Sequence, residues 1–219
     1  MRKIILGIIL LFFAISGYGQ LITKQVKLDS LVTVSLPSTY QKKDTAGEQI
    51  YTANSMYGYE IVFRQTNEKN NTPLKKEKDL KKVLKDYIKG IQAQADGGVA
   101  LNVRDTTIGR LEAKTFTLKS DDGSGNIQYR NFVLVYTQEA TYTFEYVYPG
   151  DRIEVVKDEY KGFLASIKLS PELQRNDQYL SNNNGMSSIA KIAIFGGGGL
   201  VIILVVVLVV KRKKKLAVS

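Results

Sequence analysis

A run of nineteen residues without an ionisable side chain constrains this sequence more than any other feature. It extends from Ile192 to Val210, and at about 1.5 Å per residue a helix of this length reaches about 28 Å, close to the thickness of a bilayer's hydrocarbon core. A helix is also the only local structure that satisfies every backbone N–H and C=O group in lipid. The sequence therefore predicts a transmembrane helix over residues 191–210.

Basic residues directly behind this run predict its orientation. They are Lys211, Arg212, Lys213, Lys214 and Lys215, a pattern that keeps the adjacent end of a membrane helix in the cytoplasm. Residues 211–219 are thus predicted to be a cytoplasmic tail too short to fold. Inside the run, Ala193 and Gly197 have the spacing of small residues that pack two helices, which leaves weak dimerisation open. Flexibility or cleavage at glycines 196–199 is equally open.

The amino terminus has the pattern of a cleaved signal peptide. Two basic residues precede an apolar stretch at 4–15, and small residues follow it. Such a stretch is too short to span a bilayer comfortably, whereas the small residues suit signal peptidase. We predict cleavage after Gly19, with Ser16 as the alternative. The segment after the leader is then exported, which places a domain over residues 20–170 on the extracytoplasmic side of the cell membrane.

The formal net charge of +10 does not indicate a nucleic-acid partner. The leader holds +2, and Lys191 with the basic tail holds +6, so most of the excess belongs to targeting and anchoring. Residues 20–170 have 22 Lys and Arg against 19 Asp and Glu, which is nearly balanced. The chain has no cysteine, and for an exported domain this favours a bacterial envelope.

Composition also limits the chemistry that the chain can perform. Without His or Cys it cannot form Ser-His or Cys-His nucleophiles, and it lacks the usual ligands for zinc. Residues 121–126 resemble the start of a calcium loop, but Ile127 and Val133 replace the required glycine and bidentate acid. A solvated hairpin loop is the better interpretation. We predict no cofactor and no enzyme, since catalysis would depend on carboxylates, Tyr or Lys alone.

Apolar spacing predicts two helices in the exported domain. A stripe with spacings of three and four, from Leu80 to Ile91, predicts a first helix that Pro73 opens with Thr72 as its N-cap. A second helix is predicted to begin at Asp151, with Glu154 completing a capping box.

Alternating apolar residues predict the strands between and around these helices. Examples are VTVSL at residues 32–36 and the series Tyr57, Tyr59, Ile61 and Phe63. Short turns such as Gly109-Arg110 force antiparallel pairing. The predicted fold is α+β, with an antiparallel sheet of six or seven strands covered by two helices. We expect residues 20–170 to fold alone as a soluble monomer that needs no metal.

The order of these elements resembles the PsbP-like family. The residues that carry the resemblance are VTVSLPSTY, the central amphipathic helix, ATYTFEYVYPGD and GFLASIKLS, within Leu28–Leu169. The family includes the extrinsic oxygen-evolving subunit of photosystem II and a Ran-binding nuclear import factor, and many of its bacterial members are exported. The resemblance implies an α/β/α sandwich used for binding or assembly, usually without catalysis. No functional residue is carried over, because no manganese- or Ran-binding signature matches.

After Pro171 the sequence becomes polar and loses its apolar period. Residues 171–190 are therefore predicted to be a flexible tether between the domain and the membrane.

Two sets of residues are candidate contact sites in the exported domain. One is an aromatic row on a strand, which predicts either core packing or a groove for an elongated apolar or glycan ligand; its members are Tyr142, Phe144, Tyr146 and Tyr148. The other is the lysine-rich face of the first helix, which either solvates the helix or touches anionic lipid headgroups; it includes Lys78, Lys82 and Lys89.

These patterns favour a membrane-tethered binding or accessory module for another envelope protein. The alternative is a carrier or sensor that holds a small apolar ligand in an aromatic pocket. A deep cavity lined by Tyr142 and Tyr146 would favour the carrier, and a flat conserved surface patch would favour the module.

Overall fold

The computed structural model describes residues 21–45, 47–67, 73–95, 98–121 and 125–180. The predicted signal peptide, membrane helix and basic tail, with the glycines at 196–199, lie outside the described residues. Within these ranges, no helix combines the length and the apolar character needed to cross a bilayer.

Strands in the described part of the chain form two antiparallel sheets. The larger sheet has seven strands in the order β3-β4-β5-β9-β8-β7-β6, and the smaller has the order β1-β2-β10. The strands are β1 (Thr23–Lys27), β2 (Val32–Pro37), β3 (Gln41–Thr45), β4 (Glu48–Asn54), β5 (Tyr59–Thr66), β6 (Val99–Ile108), β7 (Leu111–Asp121), β8 (Ile127–Tyr136), β9 (Ala140–Pro149) and β10 (Lys168–Leu169). The helices are α1 (Glu77–Gln94) and α2 (Lys157–Ser166).

The two faces of the large sheet are covered differently. The helix α1 packs on one face, and α2 together with the small sheet packs on the other. The prediction of an antiparallel sheet of six or seven strands with two helices is confirmed, and the sheet has seven. The residues VTVSL do not join that sheet, however, because β2 pairs with β1 and β10 instead.

The apolar stripe of α1 forms one core as its spacing predicts. Leu80, Leu84 and Ile88 are buried against the large sheet. There they meet Phe116 and Phe132, whose rings stack with centroids 4.5 Å apart. Burial of this stripe stabilises α1, since most of the stability of a helix in a protein comes from packing of its apolar face.

Asp29, in the turn between β1 and β2, joins the small sheet to the large one. Its carboxylate accepts hydrogen bonds from Arg64 Nε at 2.7 Å and from the Tyr142 hydroxyl at 2.6 Å, as well as from the backbone N–H of Val32. Burial opposes the ionised form, but the hydrogen bonds from Tyr142 and Arg64 outweigh it and hold the pKa of Asp29 below its ordinary value.

Both predicted helix starts are wrong. The helix α1 begins at Glu77 and not at Pro73; Lys76 is its N-cap, and Asp79 accepts the Lys76 backbone N–H. Before α2, a 3-10 turn at Gly150–Arg152 and a further turn bring the chain around the end of β9, so the helix begins only at Lys157. Residues typical of a helix cap lie near each predicted start, but they did not determine the residue at which the helix begins.

The predicted tether is also wrong over its first ten residues, 171–180. These residues pack on the domain, which therefore extends at least to Leu180. Leu173 and Tyr179 are buried, and the fully buried Gln178 side chain bonds to the backbone of Glu112 and to the carbonyl of Tyr136. A polar sequence can belong to a domain when its few apolar residues and its amides find partners there. Residues 181–190 of the predicted tether lie outside the described residues.

Candidate binding sites

An open cleft of about 650 Å³ lies at one end of the large sheet, beyond the carboxyl end of α1. Five large side chains in its lining define what we call the Tyr–Arg cleft; they are Tyr57, Tyr59, Tyr148, Arg130 and Arg152. They come from β5 and the turn before it, from β8 and β9, and from the 3-10 turn after β9.

The turn that carries Tyr57 is anchored to α2 by hydrogen bonds. The Glu159 carboxylate accepts the backbone N–H of Met56 at 2.7 Å and that of Tyr57 at 3.1 Å. Arg152 donates to the Tyr57 carbonyl at 3.1 Å. Gly58 is required here, because a Cβ atom at this position would lie 2.5 Å from the Val147 carbonyl oxygen. The rim of the cleft is therefore fixed before any partner binds.

Two further side chains of the cleft are held by the sheet. Arg130 forms an ion pair with the buried Glu145, and its guanidinium lies 5.2 Å from the centre of the Phe132 ring. Tyr148 stacks on Tyr129 with ring centroids 5.6 Å apart, and burial raises the pKa of the Tyr148 hydroxyl. The cleft thus presents a guanidinium and a neutral phenol in fixed positions.

A pair of carboxyl groups lies behind this turn. Glu60, on β5, is 5% exposed, and its Oε2 atom has no hydrogen-bond partner among the described residues. Burial and the nearby Glu159 carboxylate raise the pKa of Glu60 to about 8. Glu159 accepts a hydrogen bond from the Tyr146 hydroxyl at 2.6 Å. Glu60 is therefore mostly protonated at neutral pH.

The structure places the predicted aromatic row mainly in the core beneath α2. Tyr142, Phe144 and Tyr146 are each at most 2% exposed. The hydroxyls of the two tyrosines are occupied by Asp29 and Glu159. These three residues pack as core side chains and form no groove; only Tyr148, at the end of the row, reaches the Tyr–Arg cleft.

The predicted lysines Lys78, Lys82 and Lys89 are all exposed on α1. Lys89 alone among them lines a second cavity of about 420 Å³ between α1 and the edge of the large sheet. We call this cavity the lysine groove; it is lined by Lys81, Lys85, Lys89, Lys114, Ile88, Gln92, Ala100 and Val103.

Sequence reasoning missed most of the lysine groove. Lys81, Lys85 and Lys89 recur at intervals of four, a spacing that puts them on one side of a helix and could have been noticed. Lys114 and Val103 had no such signal, because only the folded sheet brings β6 and β7 beside α1. Within the described residues, no three His, Cys, Asp or Glu side chains are arranged to hold a metal ion.

The layers and strand order define the class of this domain, which has a PsbP-like α+β fold. It resembles the solution structure of cyanobacterial PsbP (CyanoP) from Synechocystis sp. PCC 6803, with 15% identity and a TM-score of 0.50 over 70% of this chain and 96% of that chain. No protein-family model matches the chain, and no curated protein matches its sequence.

Two crystal structures show weaker similarity. LpqN of Mycobacterium tuberculosis, described as involved in cell envelope biogenesis, is 12% identical with a TM-score of 0.41 over 68% of this chain and 91% of that chain. A protein of Bacteroides thetaiotaomicron is 11% identical with a TM-score of 0.40, and the match spans 65% of this chain but 46% of that chain.

Proposed function

We propose that this chain is a membrane-tethered module on the extracytoplasmic side of a bacterial cell membrane. It binds another envelope protein through the Tyr–Arg cleft and catalyses no reaction. The PsbP-like fold is compatible with an accessory role of this kind.

The composition and rigidity of the Tyr–Arg cleft carry this proposal. Tyrosine and arginine dominate the energetics of protein interfaces, because they combine a large contact area with specific hydrogen bonds. In this cleft Glu145 holds the Arg130 side chain, Tyr129 stacks on Tyr148, and Glu159 holds the backbone of Tyr57. A partner would therefore lose little conformational entropy of these side chains on binding.

The alternative, a carrier with an aromatic pocket, receives less support. Tyr142 and Tyr146 would have to line the pocket, but both lie in the packed core and line neither the Tyr–Arg cleft nor the lysine groove. Opening a cavity there would break the hydrogen bonds to Asp29 and Glu159. The Tyr and Arg side chains of the cleft favour a protein partner.

The topology in this proposal can be tested by protease accessibility. The apolar run before the basic tail, opposite a cleavable leader, predicts an exported domain and a cytoplasmic carboxyl terminus. Protease added to spheroplasts should digest the domain and spare a tag placed after Ser219. Lysed spheroplasts, in which the tag becomes accessible, are the control. A domain that resists protease in intact spheroplasts, yet is digested after lysis, would contradict this topology.

Site-directed photo-crosslinking in intact cells tests the use of the cleft. A photoreactive residue in place of Tyr57 should give a discrete crosslinked species with one envelope protein. The same residue in place of Lys43, which is exposed on β3, is the matched control and should give none. An added Arg152→Ala substitution should reduce the yield of the species severalfold, because truncation of an arginine at an interface hot spot costs about 2 kcal/mol or more.

Two outcomes would count against the cleft. Equal crosslinking from position 43 would mean that the species reflects proximity alone. An unchanged yield after Arg152→Ala would place the contact elsewhere on the domain. Identification of the species by mass spectrometry, alongside the proteins that co-purify with the intact membrane form, would name the partner.

A further inference from the structure

We propose that the lysine groove binds a single-chain anionic amphiphile, such as a fatty acid, with its acid group at the lysines and its tail along β6. This site is separate from the Tyr–Arg cleft and goes beyond the function proposed above. The two cavities share no lining residue.

The groove has an apolar floor and a basic rim. Ile88 on α1 and Ala100 and Val103 on β6 form the apolar part, and four lysine ammonium groups surround it. Among the described residues no Asp or Glu belongs to the lining, although the carboxylates of Glu77 and Asp105 pair with two of the rim lysines. Its volume of about 420 Å³ falls within the range of small-molecule sites, which is roughly 300–1,000 Å³.

A β-bulge in β6 creates the apolar part of the floor. The register with β7 shifts between Leu101 and Arg104, and Asn102 within the bulge has a φ of +54°. In a regular strand Ala100 and Val103 would point to opposite faces of the sheet, because side chains alternate. The bulge brings both to the groove side, where Val103 is 48% exposed.

The same bulge argues against a peptide as the occupant. A bulge interrupts the row of backbone groups that an added strand would need at a sheet edge. A flexible aliphatic tail does not need those groups. It needs apolar surface, which Ile88, Ala100 and Val103 supply in the groove.

The charges of the rim favour an acid headgroup near Lys85. Lys81 pairs with Glu77, Lys114 pairs with Asp105, and Lys89 lies 3.9 Å from Asp86. Lys85 forms no ion pair with a described residue, and it is exposed between Lys81 and Lys89 on the same side of α1. An anion that binds Lys85 and makes a second contact to Lys89 would therefore displace at most one existing interaction, the long contact between Lys89 and Asp86.

Photolabelling of the full chain tests this proposal. The protein is placed in nanodiscs of neutral lipid, and the probe is dodecanoate with a diazirine at the end of its tail. We expect saturable labelling of peptides that contain residues 99–103, suppressed by excess unlabelled dodecanoate. The corresponding alcohol probe, which carries no charge, should label these peptides at least about tenfold less efficiently, since it loses charge-assisted hydrogen bonds.

A matched pair of double variants separates the groove from a general lysine surface. Lys85→Gln with Lys89→Gln should raise the half-saturating concentration at least about tenfold. Lys78→Gln with Lys82→Gln removes the same charge from the same helix but lies outside the groove, so it should leave labelling unchanged. All four side chains are exposed, and circular dichroism should show both variants folded.

The remaining measurements distinguish a binding site for the aliphatic tail from contact with the surface of a bilayer. Val103→Asn should weaken labelling by dodecanoate, because it makes the floor polar. Labelling spread evenly over the domain would overturn the proposal, as would an equal loss in both double variants. Binding to anionic vesicles without saturable labelling would also overturn the proposal if that binding depended on Lys78 and Lys82 as much as on Lys85 and Lys89. That result would indicate contact with lipid headgroups.

Discussion

Replacing Glu60 with glutamine is expected to raise the free energy of unfolding by about 3 kcal/mol at pH 7 and to leave it nearly unchanged near pH 4. Burial and the Glu159 carboxylate raise the pKa of Glu60 from 4.5 to about 8 in the folded state. Between these values the folded protein binds a proton that the unfolded chain has released. The free energy of unfolding of the wild type therefore falls as the pH rises between these two pKa values. Glutamine does not titrate, so the substitution removes this dependence on pH.

Urea denaturation of residues 20–180 at several pH values measures this effect. The two stability curves should coincide near pH 4, separate from about pH 5 and become parallel above about pH 8. Glu154→Gln is the matched control, because the Glu154 side chain is 78% exposed and should show no such separation. Parallel curves for Glu60→Gln and wild type over the whole range would show that Glu60 titrates normally.

Ending the domain fragment at Ser170 is expected to destabilise it by about 5 kcal/mol or more relative to a fragment that ends at Leu180. The shorter fragment loses the buried Leu173 and Tyr179. It also loses Gln178, whose side-chain amide satisfies the Glu112 backbone and the Tyr136 carbonyl. Buried backbone groups left without partners each cost about 1–3 kcal/mol.

Thermal and urea unfolding of the two fragments would measure this difference. Gln178→Ala in the longer fragment isolates the hydrogen bonds and should cost about 3 kcal/mol. Gln174→Ala is a control in the same segment, since Gln174 is exposed. If the fragment ending at Ser170 unfolds cooperatively and is as stable as the longer fragment, the domain boundary at residue 170 that the sequence predicts would be correct.

The strand β5 shows that alternating apolar residues can predict a strand without predicting which of its residues are buried. The series Tyr59, Ile61 and Phe63 does alternate, yet these residues are only half-buried on the α1 face. The buried residues are Glu60 and Val62, which face α2 and the small sheet. Because both faces of the sheet are covered, periodicity alone cannot tell which set is more deeply buried.

The two candidate sites differ in how far the sequence could predict them. Three lysines of the groove lie on one helix, so their spacing could have been noticed from the sequence. The Tyr–Arg cleft joins residues from Tyr57 to Arg152, and they are adjacent only because β5 pairs with β9 and β9 with β8. Long-range pairing of this kind has no local sequence signal.

Local physical chemistry in the sequence determined the elements themselves. The spacing of Leu80, Leu84 and Ile88 specified an amphipathic helix, and Gly109-Arg110 specified a hairpin, because both depend on neighbouring residues alone. Tertiary structure decided which surfaces remain open, which carboxyl group is buried, and where the domain ends. Those properties depend on partners distant in sequence, such as Glu159 for the turn at Tyr57 and Glu112 for Gln178.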